Sequence, residues 1–233
     1  LDVDTENNYY YSEVKGRELY FVNEGLKVPK YGQAELVEVE TSFTAYQEFQ
    51  SMLTRDRIDI FMVGEFDDYQ VLQALHRFPL EGRQVDLQFS YSQPYVNVVK
   101  EKIEPRQSSQ SILQLGYQFS CQYGDKDYFA LIVLNAMFGE FAHSVLFTTL
   151  REKEGLAYSI SSQFDIFTGL LEVYAGIEKS NRNQAMRGIS RELNYIKLGR
   201  FSSSLLNQTK KIIRMNALLS EDHALTLVEQ RFN

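Results

Sequence analysis

Cysteine is nearly absent: Cys121 is the only one in 233 residues, so no internal disulfide can form and neither a Cys-x-x-Cys redox pair nor a cysteine-based zinc finger can be built. A reducing, cytoplasmic home is the expectation. Long apolar runs are missing too, since no stretch approaches the roughly 20 residues that cross a bilayer, and Leu1–Asn8 carries Asp2, Asp4 and Glu6 where a signal peptide is basic and apolar. Histidine is scarce: His76, His143 and His223 lie far apart, and none stands three or four residues from another, the spacing at which one helix face presents two imidazoles to one ion. There is no His-x-x-Glu-His, no His-Glu-x-x-His, no Gly-x-Ser-x-Gly elbow and no Gly-x-x-x-x-Gly-Lys-Ser/Thr loop. Cys121, beside Gln122 and Tyr123, reads as a packing residue at a strand end rather than a nucleophile. A helical two-histidine metal site, a Gly-x-Ser-x-Gly nucleophile and a phosphate-binding loop all lack their motifs, which leaves only a metal site assembled from residues distant in sequence.

What is present is an ordinary globular composition, with 44% hydrophobic and 13% aromatic residues. Acidic residues outnumber basic ones by 31 to 24, for a net charge of −7, which disfavours a general nucleic-acid or anionic-membrane surface without excluding a local basic patch. Neither nucleic acid nor membrane is expected as a partner. The triplet Asn207-Gln208-Thr209 fits a glycosylation acceptor but, with no secretion signal, reads as chance. The chain opens on leucine, and Ala224–Phe232 stops without a capping signal after the helix start Ser220-Glu221-Asp222-His223; a fragment of a longer polypeptide is expected.

Along the chain, the tyrosine-rich Leu1–Gly32 shows no deciding period. Thr41 or Ser42 can cap a helix whose Tyr46, Phe49 and Leu53 share a face. Arg57–Gly64 (Arg-Ile-Asp-Ile-Phe-Met-Val-Gly) predicts a buried strand, and Asp67 and Asp68 open a helix carrying Val71, Leu72, Leu75 and Phe78 that Pro79 ends. Residues 80–109 read as a linker contributing edge strands at Val85–Phe89 and Val96–Ile103. Then Ile112, Leu113, Leu115, Tyr117 and Phe119 predict a strand. Asp125 is expected to cap a helix facing inward with Phe129, Ile132, Val133, Ala136 and Met137, which Gly139 breaks, and a second helix runs from about His143 to Glu154. His143 reads as a helix-start residue or a substrate contact. Leu156–Asp165 and Leu170–Glu178 predict a hairpin across Phe167-Thr168-Gly169. Two more helices follow, the first capped by Ser180 with Met186, Ile189, Leu193 and Ile196 inside.

This order implies an α+β fold, an antiparallel sheet with helices packed on one face. Residues 41–78 resemble the end of a similar unit, so a duplicated architecture with the first copy truncated is expected, divided near residue 100 into 1–100 and 101–233.

The densest chemistry is the corner from Leu150 to Tyr158, where an apolar helix turns charged, meets Gly155 and leaves as a strand. Arg151 and Tyr158 flank it. Two such donors can grip one carbonyl oxygen or stabilise developing oxyanion charge. The alternative is that Arg151 pairs with Glu152 or Glu154 on the surface while Tyr158 packs on the sheet. The residues alone leave both open.

Ser144-x-Leu146-Phe147-x-x-Leu150-Arg151-Glu152-Lys153-x-Gly155-Leu156-Ala157-Tyr158-Ser159 resembles a signature of the pitrilysin/insulinase family of zinc metallopeptidases, in the second, non-zinc half of their catalytic unit. Gln110–Tyr117 resembles that half's opening strand, Leu170–Ile177 the strand after the signature, and Ile58–Asp67 the strand closing the first half. The resemblance covers most of residues 33–220. It implies paired α+β halves, processing-protease-like, facing each other across a chamber. Zinc is held there by an inverted His-x-x-Glu-His helix of the first half, a motif this chain lacks. It further implies that Arg151 and Tyr158 bind peptide substrate near a zinc supplied by a complementary half or a homologous subunit, in a dimer, with no metal ligand or catalytic residue from this chain. The other implied reading is an inactive peptidase-derived scaffold or assembly subunit.

Overall fold

The computed structural model describes residues 7–78, 97–220 and 223–232. In chain order its elements are α1 (Asn8–Tyr20), α2 (Glu24–Lys27), α3 (Ala34–Val39), α4 (Ser42–Arg55), α5 (Asp68–Leu75), β1 (Ser111–Gln118), α6 (Tyr128–Asn135), α7 (Phe147–Lys153), β2 (Ser159–Asp165), β3 (Leu170–Ile177), α8 (Arg182–Lys197), α9 (Ser203–Ser220) and α10 (Ala224–Phe232). The chain divides into two compact units, Leu1–Tyr31 with Tyr91–Ile213, and Gly32–Ser90 with Arg214–Asn233.

The first unit holds the sheet. Its strands lie in the order β1-β3-β2, all antiparallel, with Leu113 opposite Ala175 and Ile160 opposite the same Ala175 from the other side. Because strand side chains alternate between faces, Leu113, Leu115, Ile160, Val173, Ala175 and Ile177 point to one side, where they meet Phe138, Leu146, Leu150, Ile189, Leu193 and Ile196 from the helices. That is the core, and it carries the α+β arrangement read from the sequence. The inner face of α8 is as expected at Ile189, Leu193 and Ile196, with Ala185 and Gly188 buried beside them.

The opposite face of the sheet is polar, and one helix lies on it. Asn7 Oδ1 accepts from Tyr9 N (3.0 Å) and Tyr10 N (3.4 Å), capping α1. The Tyr20 ring fills the space over Gly116, where any β-carbon would lie 2.6 Å from it. Tyr9 bonds Ser159 and Tyr11 bonds Glu104. Beneath α1, Gln114 Nε2 donates to Glu172 Oε1 and to Tyr174 Oη, both at 3.0 Å. Burial is the chief cause that raises the Tyr20 and Tyr174 phenols above their ordinary pKa, with Glu172 adding to it.

Several local expectations change. The residue before α6 is Asp127, whose side chain makes no capping bond, while Asp125 Oδ2 accepts from Gln122 N (2.8 Å) and so closes the preceding turn. Phe129 is 74% exposed rather than inside. Gly139 does not break the helix, which continues as a π turn over Ala136–Glu140. Its lack of a side chain instead admits Ser162, whose Cβ would sit 2.8 Å from an added β-carbon. Ser180 lies in a single 3-10 turn, and the residue before α8 is Asn181. The second helix starts at Val145 rather than His143.

In the second unit Thr41 caps α4 as expected, with Thr44 N donating to its Oγ1 (3.1 Å) and Thr44 Oγ1 accepting from Thr41 N (3.0 Å). Asp67 Oδ1 caps α5 through Tyr69 N (2.8 Å) and Gln70 N (3.2 Å). Arg57–Gly64 forms no strand, and Ile58, Ile60, Phe61, Met62 and Val63 are all exposed. An apolar run becomes a strand only when another backbone supplies a ladder, and the described strands all belong to the other unit. Residues 97–103 likewise form no strand, and Val85–Phe89 lies outside the described residues.

Candidate functional site

The corner between α7 and β2 is built from its buried side outward. Leu146 and Leu150 are fully buried, and Leu150 packs where Gly188 of α8 leaves room, its Cδ2 3.3 Å from a β-carbon placed there. Ser144 Oγ accepts from Phe147 N (3.4 Å) at the helix start. The element is π-helical throughout Phe147–Lys153, Glu154 N donates to Thr149 O (2.9 Å), and Leu156 N then returns to Leu150 O (2.8 Å). Runs of π-helix are rare and gather at functional sites. Gly155 makes the corner at φ 61°, a left-handed conformation that costs other residues energy. Tyr158 N donates to Gly176 O (2.8 Å), fastening the emerging strand to β3.

With its apolar residues committed to the core, the α7 helix turns Arg151 outward. The guanidinium lies over the Phe147 ring one turn back, 4.5 Å from its centroid, and it forms no ion pair among the described residues. Glu154, the neighbour that could have neutralised it, is held instead by Arg191 Nη2 at 2.6 Å, and Arg191 Nε also holds the buried Glu192 at 2.8 Å. Tyr158 is 50% exposed. Its hydroxyl donates to Glu178 Oε1 (2.7 Å), just past the end of β3. That hydrogen bond is the main cause raising the phenol above its ordinary pKa, followed by partial desolvation and the Glu178 charge. The phenol therefore stays a neutral donor at physiological pH.

Arg151 and Tyr158 share the corner but do not bond each other: one rests on Phe147, the other on Glu178. Glu178 and Arg191 are the residues that sequence reasoning missed. The hairpin register held the signal for Glu178, since pairing Ser159 with Gly176 brings the residues after Gly176 alongside Tyr158.

The remaining candidates have structural duties. His143 Nε2 meets the Oγ1 of the fully buried Thr209 at 2.9 Å, its ring stacks on Phe141, and burial lowers its pKa. It stands just before the helix that begins at Val145, with its ring nitrogen engaged by Thr209. The burial of Thr209 also takes the hydroxyl of the Asn207-Gln208-Thr209 triplet out of reach. The Cys121 thiol is half-buried, and its pKa is raised by burial first, then by Asp125 and Asp127, which disfavours the nucleophilic thiolate. No group of three or more metal-binding side chains exists among the described residues. With His143 committed to Thr209, the donor set does not fit a zinc ion. No helix among the described residues is long and apolar enough to cross a membrane.

The family profile described as the Peptidase M16 inactive domain matches residues 45–213. The chain is 37% identical over 199 residues to the probable inactive metalloprotease YmfF of Bacillus subtilis (strain 168), covering 85% of this chain and 47% of that protein. It is 24% identical over 237 residues to the uncharacterized zinc protease YmxG of the same organism, covering 94% of this chain and 56% of that protein. Among solved structures, a conserved protein from Enterococcus faecalis V583 superposes with a TM-score of 0.92 at 35% identity, over all of this chain and 55% of that one. The chain spans about half the length of the curated relatives it matches. The resemblance read from Ser144–Ser159, to the half of a metallopeptidase that carries no zinc, holds: the chain belongs to the peptidase M16 inactive-domain family.

Proposed function

We propose that this domain binds peptide for a metallopeptidase system without performing the hydrolysis. Arg151 and Tyr158 direct their donors at one backbone carbonyl of an extended substrate. Zinc and its ligands come from a complementary half or a homologous partner subunit. The observation that carries this reading is the state of Arg151: the surface ion pair with Glu152 or Glu154 is not formed, and Arg191 takes the Glu154 carboxylate. An exposed guanidinium with no carboxylate of its own offers a fork of donors to an incoming acceptor. Glu178 holds the phenol of Tyr158 in position until a substrate carbonyl competes for its proton.

Hydrolysis of a peptide by the reconstituted pair of this protein and a zinc-bearing partner tests the reading. Arg151→Ala and Tyr158→Phe each lower kcat/KM, by an amount in the range of one lost charge-assisted or neutral hydrogen bond, about 1–3 kcal/mol. Unchanged turnover in both variants would leave the second reading, a peptidase-derived scaffold, which the inactive character of the YmfF relative favours. A scaffold binds its partner without altering proteolysis.

A further inference from the structure

The charge on this chain is unevenly distributed. Between Lys179 and Lys211 stand eight lysines and arginines and a single acidic residue, Glu192, a local charge of +7 in a chain whose net charge is −7. These residues ride on α8, α9 and the turns beside them. Glu192 contributes nothing outward, because it is buried and held by Arg191 at 2.8 Å. Arg191 and Arg182 are spent on Glu154 and Glu101. Lys179, Arg187, Lys197, Arg200, Lys210 and Lys211 are all exposed, and none has a carboxylate partner among the described residues. The segment therefore exposes six uncompensated cations and no anion.

Apolar groups stand among these charges. Leu198 is 66% exposed in the turn that ends α8, between Lys197 and Arg200. One turn back, Tyr195 is 40% exposed, and the Arg200 guanidinium lies over its ring at 5.7 Å. A nucleic-acid backbone rewards the cations alone. An anionic bilayer rewards both, the cations at its phosphates and a leucine and tyrosine at the depth of its headgroups.

We infer that the α8–α9 surface is a docking face for anionic phospholipid, by which the domain rests on a membrane that it does not cross. The face lies on elements other than the Arg151–Tyr158 corner and is independent of the peptide-binding proposal. Flotation of the purified protein with vesicles tests it, using phosphatidylcholine alone and phosphatidylcholine mixed equally with phosphatidylglycerol. The protein is expected to float with the anionic vesicles only, less as salt rises. Replacing Lys210 and Lys211 together by Gln is expected to weaken partitioning about 25-fold, at roughly fivefold per charge, and Leu198→Ser weakens it with every charge intact. All three substitutions are at exposed positions, so the fold is retained. Equal flotation with both vesicles, or partitioning unchanged in the double variant, overturns the inference. So does an unaffected Leu198→Ser variant that binds duplex DNA as tightly as vesicles, since the surface would then read polyanions and not lipid.

Discussion

Leu150 and Phe49 are both large apolar side chains on the apolar face of a helix, yet Leu150 is fully buried while Phe49 is 51% exposed. The difference extends to the units that hold them. Among the described residues every buried hydrophobic side chain lies in the unit with the sheet, and none of the other unit is buried. The second unit has good local signals, with Thr41 in a capping box, Asp67 at the start of α5 and an apolar run at Ile58–Val63. Caps and periodicity are enough to form helices there. A core needs a second apolar surface to close against, and a strand needs a neighbour to pair with.

The largest effect that sharpens this contrast is cavity formation. Leu150→Ala is expected to cost about 2–5 kcal/mol, and Phe138→Ala about 3–5 kcal/mol, because the surrounding core cannot collapse fully. Phe49→Ala is expected to stay within about 0.5 kcal/mol, as exposed substitutions do. Denaturant unfolding measures both, and equal losses at Leu150 and Phe49 would erase the distinction between the units. Amide hydrogen exchange checks it without mutation: the amides of β3 are expected to exchange last and those of α4 and α5 far earlier.

A smaller effect separates two kinds of glycine around the site. Gly139→Ala drives a β-carbon to within 2.8 Å of Ser162 Cβ and backbone N, so overpacking of about 1–3 kcal/mol is expected. Gly155 has open space around it and a φ of 61°. Alanine there meets only the left-handed penalty of about 1–2 kcal/mol, and Asn relieves part of it. Thermal unfolding of the three variants should therefore show Asn rescuing position 155 and no small residue rescuing position 139.

The smallest effect is a pH dependence. Burial holds the His143 pKa below its ordinary 6.5. Above about 6.5 the imidazole is neutral in both folded and unfolded chains and adds no pH dependence. As pH falls below that value the unfolded chain takes up a proton that the folded chain resists, so stability declines until folded His143 is protonated too. His143→Gln keeps a polar partner for Thr209 but cannot titrate, and is expected to flatten the decline between neutral and mildly acidic pH in urea unfolding. An unaltered slope would mean that His143 is not the group responsible.

Legibility in the sequence followed the same division between local and distant causes. The β2–β3 hairpin, β1, the inner face of α8 and the caps at Thr41 and Asp67 rest on periodicity and on side chains reaching a few residues along the chain, and these were readable. Asp125 and Ser180 have the chemistry of caps but not the place, because each lies a residue or two outside the first helical turn. Gly139 looked like a breaker since its actual reason, the closeness of Ser162, is a contact made across the core. α1 was invisible because its face meets Gly116, Gln114 and Ser159, polar and small residues that leave no apolar stripe. At the corner, the placing of Arg151 and Tyr158 on either side of Gly155 was legible in the chain itself. Glu178 was not, because what ties it to Tyr158 is strand register.

The central claim is that Arg151 and Tyr158 act on one oxygen although they do not touch. A double-mutant cycle tests it most directly, with the affinity of a fluorescent substrate peptide measured for the protein and for Arg151→Ala, Tyr158→Phe and the two combined. A shared carbonyl predicts that the second substitution costs much less once the first is made, a coupling of at least about 0.5 kcal/mol. Losses that add to within about 0.3 kcal/mol, or no loss at either residue, would contradict it.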